Sequence, residues 1–574
     1  MSKIRVTEIE VENYRSFGQK QKITFPESYD KPIAIVGYNN AGKTNLMNAI
    51  RYGLYEKVSE DMLELKDFHN CEWKNVPWIR VGFRAEMGQD IIPCNKCFIE
   101  TVIEVDNDKI INVKDDVIKY DVGNINKKKW HVKQQTQIIY INFHTIKEEI
   151  KTQKGSWGYI KSFLGRYIKK TVDNDTAMLN KKEHFERCTK TATETILKNT
   201  KLSKFIEKIR GHYSVNLRQV RDTCEVQFGL PNYEDIFQEM IFKIGLNGDN
   251  EKLIPLNNFG DGYISMFVMA VIQAISEDED NKCLFLFEEP ESFLHENHQE
   301  YFYKTVLCGL AKKGHQVIYT THSDRMVDMF DTRGLVRLEF DESNKQTEVR
   351  YNKTDDISSI NTNTEDGLIS MKDYNQFVKA IDPSLNKIIF SKKVILVEGP
   401  NDVLVYKHII KQKILEIINE NDEIEDKMAF ADTYMNFYNI AIVSHYGKAT
   451  AILLMRLCNH LGVDYFAIND WDLPELSVDV LLKFSTLEEV QDSEDYTGLG
   501  DRKGLLTTNW NLYSQASHNN IHFNVNKLEE LVGYKLDDKN SMKIQKKLQD
   551  GFEITEKILP EKLYKFLALD KLER

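Results

Sequence analysis

The sequence predicts an α/β protein in two parts: a phosphate-loop nucleotide-binding part interrupted by a helical insertion, and a Rossmann-like C-terminal part. Three observations predict it. The apolar run Ile33-Ala34-Ile35-Val36 feeds into Gly37-Tyr38-Asn39-Asn40-Ala41-Gly42-Lys43-Thr44, a complete GxxxxGKT. Helical spacing dominates from Ile146 to about Arg210, with Ile160, Phe163 and Tyr167 on one segment and Leu202, Phe205, Ile206 and Ile209 on another. Finally, Val394-Ile395-Leu396-Val397 ends in Glu398-Gly399, and one small α/β unit later Ile468-Asn469 ends in Asp470-Trp471-Asp472. A chain of 574 residues exceeds what one core serves. We divide it into 1–145 and 236–385 (the two halves of the nucleotide-binding part), 146–235 (the insertion) and 386–574 (the C-terminal part).

Hydrophobic residues make up 41% and charged residues 29%, and no apolar run approaches the roughly 18 residues of a membrane span. The N-terminus goes straight into an alternating strand pattern without a targeting leader, so the expected compartment is the cytoplasm, with no membrane partner. Eight cysteines, mostly within apolar runs as at Cys283, Cys308 and Cys458, read as reduced thiols. His69-x-Cys71 and Cys94-x-x-Cys97 offer either four zinc ligands or two turns flanking a strand. The net charge of −12 does not exclude nucleic acid, because lysines cluster at Lys127-Lys128-Lys129, Lys169-Lys170 and Lys181-Lys182. Such runs follow a phosphate backbone or simply solvate a surface.

In order, residues 3–13 alternate as a strand leading into Asn13-Tyr14-Arg15-Ser16-Phe17, and a second strand lies around residues 23–25. In the phosphate loop, Gly37 and Gly42 let backbone N–H groups around Asn40 turn onto phosphates. Lys43 reaches the β and γ oxygens, the Thr44 hydroxyl suits magnesium, and Asn45 opens the following helix. Residues 66–104 read as strands with turns, and 105–135 as surface hairpins or loops. Leu256-Asn257-Asn258-Phe259-Gly260-Asp261-Gly262 then precedes a helix running from Tyr263 through Ala274. Cys283-Leu284-Phe285-Leu286-Phe287 ends in Glu288-Glu289, and Gln316-Val317-Ile318-Tyr319-Thr320-Thr321 ends in His322.

That succession resembles ATPases of the ABC class. The resemblance implies that Glu289 polarises the attacking water, Glu288 helps to hold magnesium and His322 senses the γ-phosphate. The helix start at Gly260 would bind a phosphate across a dimer, with Asn257 or Asn258 near the place of the usual Ser. Arg15 resembles a position near the nucleotide.

Three carboxylates at neighbouring strand ends repel one another unless a divalent cation intervenes, and oxygen ligands suit magnesium or manganese better than zinc. Glu398, Asp470 and Asp472 in this pattern resemble a Toprim domain. An ABC-type ATPase followed by Toprim resembles the OLD (overcoming lysogenisation defect) family, including its short members in Gabija and retron defence systems. The resemblance makes Glu398 an acid/base or metal ligand, and Asp470 and Asp472 metal ligands. It adds Asp402, which otherwise is a helix N-terminal carboxylate, Gly447 and Lys448 near the phosphate, Glu529 at the metal, and Lys562 against developing charge. A helical or mixed segment over residues 366–380 would join the two parts.

The implied protein is an ATP-regulated, magnesium- or manganese-dependent DNA endonuclease of bacterial anti-phage defence. It would be a homodimer or larger, working with a helicase-like protein or a reverse transcriptase and its DNA product. Two alternatives stay open: cleavage of RNA such as tRNA, and a non-cutting ATPase scaffold that holds a partner.

Overall fold

The computed structural model describes residues 4–27, 29–54, 63–85, 96–119, 123–129, 132, 137–145, 167, 169, 171–173, 175–198, 200–217, 243–245, 253–255, 258–277, 282–328, 331–354, 387–419, 423–517, 519–525, 527–533 and 540–572. Its N-terminal part holds two six-stranded sheets. The first is antiparallel, in the order Gln21–Thr24, Ile4–Glu12, Trp78–Ala85, Cys97–Asp106, Lys109–Lys119, Gly123–Lys128. In Cys97–Asp106 the residues Cys97, Ile99, Thr101 and Ile103 are buried in alternation, the signature of a sheet covered on one face.

The second sheet runs Gln346–Tyr351, Leu335–Asp341, Ile33–Val36, Gln316–Thr321, Cys283–Glu288, Gln137–Asn142, and only its first pair is antiparallel. Ile33–Val36, Cys283–Glu288 and Gln316–Thr321 are buried along their whole length, as continuous apolar runs in a doubly covered parallel sheet must be. One face meets the helix Lys43–Leu54 and the antiparallel sheet through Ile9, Ile35, Leu46, Val81 and Leu286.

The C-terminal sheet is wholly parallel, in the order Ile440–Ser444, Lys393–Val397, Asp464–Asp470, Ile521–Asn524. Val394 and Leu396 of Lys393–Val397 face one core, Ile395 and Val397 the other. The helices Pro400–Ile417 and Lys448–Leu461 each begin just past a strand that ends at the site.

Several local expectations change. Leu65–Asp67 and His69–Cys71 are 3-10 turns, not strands, with Asn70 and Cys71 at φ 56° and 54°. Within the expected hairpin region, Lys109–Lys119 and Gly123–Lys128 do pair antiparallel, but Lys129 is buried and its ammonium lies 3.1 Å from Asp115, so it is spent on an ion pair and not on a phosphate backbone. In the insertion the described helices are Thr176–Leu197, capped by Asp175, and Lys201–Leu217. Residues 146–166, 218–242 and the joining segment 366–380 lie outside the described residues.

The two parts share one apolar core, in which Tyr319 and Leu335 join Ile388, Leu396, Leu454 and Leu461. Arg337, 3% exposed, crosses the junction. Its guanidinium donates to the carbonyls of Ile389 (3.1 Å), Ser391 (2.8 Å) and Gly462 (3.0 Å). The first two precede the strand ending at Glu398, and the third ends the helix that starts at Lys448. Arg337→Met keeps the bulk but strands the buried carbonyls of Ile389 and Ser391 and frees that of the exposed Gly462, and should cost about 3 kcal/mol in denaturant unfolding. A loss within 0.5 kcal/mol of zero would mean that water or movement satisfies them.

Candidate functional site

At the C-terminal end of Ile33–Val36 the phosphate loop borders a cavity of about 550 Å3, lined by residues 39–45 together with Glu289 and His322. The backbone there needs glycine. Gly42 has φ 95°, and a Cβ on it would press on the Ser16 and Thr347 hydroxyls. Lys43 is folded onto the loop, donating to the carbonyls of Gly37 (2.9 Å) and Tyr38 (3.1 Å), and burial pushes it down to about 8. Thr44 is exposed toward the cavity, and Asn40 takes a left-handed φ of 67°. Arg15 reaches this loop: its Nε donates to Asp67 (2.8 Å) and its Nη1 lies 3.4 Å from Asn45 Oδ1, while Asn45 donates to Ser16.

Glu288 is buried, accepts from Asn142 Nδ2 at 2.9 Å, and has its carboxyl pushed up by burial. Glu289 behaves oppositely. Its carboxylate lies 3.2 Å from His322 Nε2 and 2.6 Å from His144 Nε2, which hold it down to about 2, in order His322 first and His144 second. It also sits at φ 45°, a conformation unusual for a non-glycine residue. Neither His144 nor Asp67 was singled out from the sequence. Residues 138–141 are a buried apolar run ending shortly before a histidine, a looser form of the pattern that marked His322. Gly260 caps the helix Asp261–Ile275 and is exposed, as is Asn258; Asn257 is outside the described residues.

The second site lies at the C-terminal ends of the parallel strands, where ligands of open α/β sheets bind. Glu398 follows Lys393–Val397, and Asp470 ends the neighbouring strand and donates its N–H to Glu398 Oε1 at 3.0 Å. Burial first, then Asp470, pushes Glu398 up to about 7. Burial likewise raises Asp402 and Asp470 to about 6, with Glu529 adding to both. So Asp402 caps its own helix, accepting from Gly399 N at 2.9 Å, and also faces the other carboxylates. Glu529 arrives on Lys527–Val532, whose Leu528 N donates to Asp470 Oδ1 at 3.2 Å.

Asp472, at φ 57°, is held differently: Lys448 Nζ lies 2.9 Å from Oδ2 and Lys527 Nζ 3.2 Å from Oδ1, and these keep it low against burial. Lys448 also donates to Asp470 O (2.6 Å) and Asn509 Oδ1 (3.0 Å). His445, buried and lowered to about 4, bonds Gly447 O at 2.9 Å and fixes the turn that presents Lys448. The lysines seen on these carboxylates are thus Lys448 and Lys527; Lys562 is exposed on Glu561–Phe566, whose Leu563 packs in the core behind the sheet.

As the side chains stand, no three His, Cys, Asp or Glu among the described residues form a ready ligand set, Asp472 being turned to its lysines. The donor chemistry nevertheless fits a hard divalent cation. Half-buried carboxylates that raise one another above their usual range lose that repulsion when positive charge joins them. Of the four residues offered for zinc, Cys97 is in a disulfide, which corrects the reduced-thiol reading there, Cys71 is an exposed free thiol, and His69 Nδ1 is engaged 2.9 Å from Arg15 O; Cys94 lies outside the described residues.

Fold and sites define a phosphate-loop ATPase joined to a Toprim domain. The family description "AAA ATPase domain" matches residues 5–327, and "Overcoming lysogenization defect protein-like, TOPRIM domain" matches residues 389–472. The chain is similar to "OLD nuclease" of Thermus scotoductus, 23% identical over 468 residues that cover 78% of this chain and 80% of that one. It also matches "Old nuclease" of Escherichia phage P2, 21% identical over 517 residues (82% and 77%), and "Endonuclease GajA" of Bacillus cereus, 20% identical over 473 (76% and 72%). The chain belongs to the OLD family and is an ATPase-linked nuclease. No helix among the described residues is long and apolar enough to cross a membrane.

Proposed function

We propose that the protein is an ATP-regulated, divalent-metal-dependent DNA endonuclease of anti-phage defence. The observation that carries the reading is the set of raised carboxylates Glu398, Asp402 and Asp470 at adjoining strand and helix ends, with the charge of Glu529 acting on the last two. These four and Asp472 would hold magnesium or manganese. The bound cation would activate water and offset charge on the phosphate. Lys448 and Lys527 are the charges that exchange Asp472 for a phosphate oxygen, and Glu398, the most raised carboxyl, is placed to hold or pass a proton. Glu289 orients water at the nucleotide, Glu288 supports magnesium beside Thr44, and Lys43, Arg15 and His322 surround the phosphates. The name of the Bacillus cereus relative, an endonuclease, supports the cutting of internal bonds; homodimerisation and a helicase-like or reverse-transcriptase partner remain part of the proposal.

Plasmid DNA and tRNA, each with magnesium or manganese and with or without ATP, test it. DNA cutting that ATP changes in rate is the expected result. RNA cutting alone moves the protein to the RNA reading, and intact substrates in every condition leave the scaffold.

The raised carboxyls also set a pH signature. Between about pH 4.5 and 7 the unfolded chain has released protons that Glu398, Asp402 and Asp470 still bind when folded, so without metal these three groups withdraw stability as pH rises through this window. Magnesium should therefore raise the melting temperature more at about pH 7.5 than at about pH 5.5. An equal shift at both would remove these groups from the metal site.

A further inference from the structure

We propose that a second cavity, behind the C-terminal sheet, binds a phosphate-bearing ligand of nucleotide size. The space is about 920 Å3, within the range of small-molecule pockets. It is walled by the helices Pro400–Ile417, Lys427–Phe437 and Ser541–Gln549, the short helix Lys387–Phe390, and the edge strand Ile440–Ser444. Ile440, Ala441 and Ile442 line it, at the opening of a strand whose far end, Ser444, pairs with Val397 just before Glu398. Four residues of strand set the two sites roughly 13 Å apart, on opposite ends of the sheet.

Its walls are polar where packing would place apolar residues. Leu404, Lys407 and Lys411 share one helix face at the spacing that elsewhere fills a core, yet two of the three are cationic. Gln545 and Gln549, one turn apart, face in from another helix. Asp432 is the one carboxylate of the lining, and it is occupied by Lys411 at 2.5 Å. Lys387 and Lys407, from two different helices, therefore leave an excess of positive charge suited to phosphate oxygens. Phe390 and Met435 supply apolar surface for a ring. Ser391, also lining, is one of the residues whose carbonyl Arg337 holds, so an occupant touches the junction between ATPase and nuclease.

Full-length Lys43→Ala protein, its phosphate loop disabled, is titrated with a fluorescent ATP analogue. Saturable binding is expected, displaced by inorganic pyrophosphate, weakened by about tenfold or more in Lys387→Glu/Lys407→Glu and retained in Lys407→Arg. Both lysines are exposed, so an unchanged melting temperature shows that the reversal leaves the fold intact. Displacement by a 5′-phosphorylated oligonucleotide but not by its hydroxyl counterpart makes the ligand a strand end; displacement by free nucleotide alone makes it a soluble effector. Absence of saturable binding in Lys43→Ala, or binding indifferent to the charge reversal, overturns the proposal. Neither result touches the nuclease reading, since neither lysine approaches Glu398.

Discussion

Glu398→Gln abolishes phosphodiester cutting and stabilises the protein. The amide keeps the acceptor that receives Asp470 N at 3.0 Å, so local geometry survives. What it removes is a carboxylate that the fold disfavours, raised to about 7 by burial and by Asp470. Activity should fall on the order of 10³-fold, beyond the roughly 10–100-fold typical of groups that merely orient a metal ligand. The melting temperature without metal at about pH 7.5 should rise, because a half-buried like charge is gone. The combination is diagnostic. A merely structural glutamate would lower stability on replacement, and a variant that still cuts at the wild-type rate would place the chemistry elsewhere.

Glu289→Gln stops ATP hydrolysis while leaving nucleotide bound. Its carboxylate, held down to about 2 by His322 and His144, stays ionised throughout the working pH range and can accept a proton from water only when one of those contacts loosens. Loss of a general base typically costs about 10²–10⁴-fold. Steady-state phosphate release should therefore fall by that factor, with the affinity for a fluorescent nucleotide within about threefold of wild type. Equal loss of binding and turnover would instead make Glu289 part of the binding surface. Measuring plasmid cutting by the same variant, which traps bound ATP, reports whether nucleotide occupancy or its hydrolysis governs the nuclease.

The phosphate loop and the strand-end carboxylates were legible because their signal is local: an apolar run, then glycine or acid within a few residues. Asp402 was legible for the same reason, one turn beyond Glu398. The contacts that complete each site are not local. His144 meets Glu289 across 145 residues and Arg15 meets Asp67 across 52, with no periodicity linking them. Lys527 opens its helix from a left-handed φ of 64°, and only the tertiary fold turns it to Asp472. For Lys562 the sequence offers no such local signal, because a charged residue on a short helix has the same appearance whether it faces a site or solvent.

The continuous apolar core beneath Arg337 has a further consequence for how such proteins diversify. A domain that carries its own complete interior can be exchanged between genes as a cassette. Here the interior is held in common, so recombination at the segment between the sheets exposes Ile388, Leu396 and Leu461 on one fragment and Leu335 on the other. Exchange of one part for a foreign domain should therefore destabilise both, unless the residues facing it across the seam change with it.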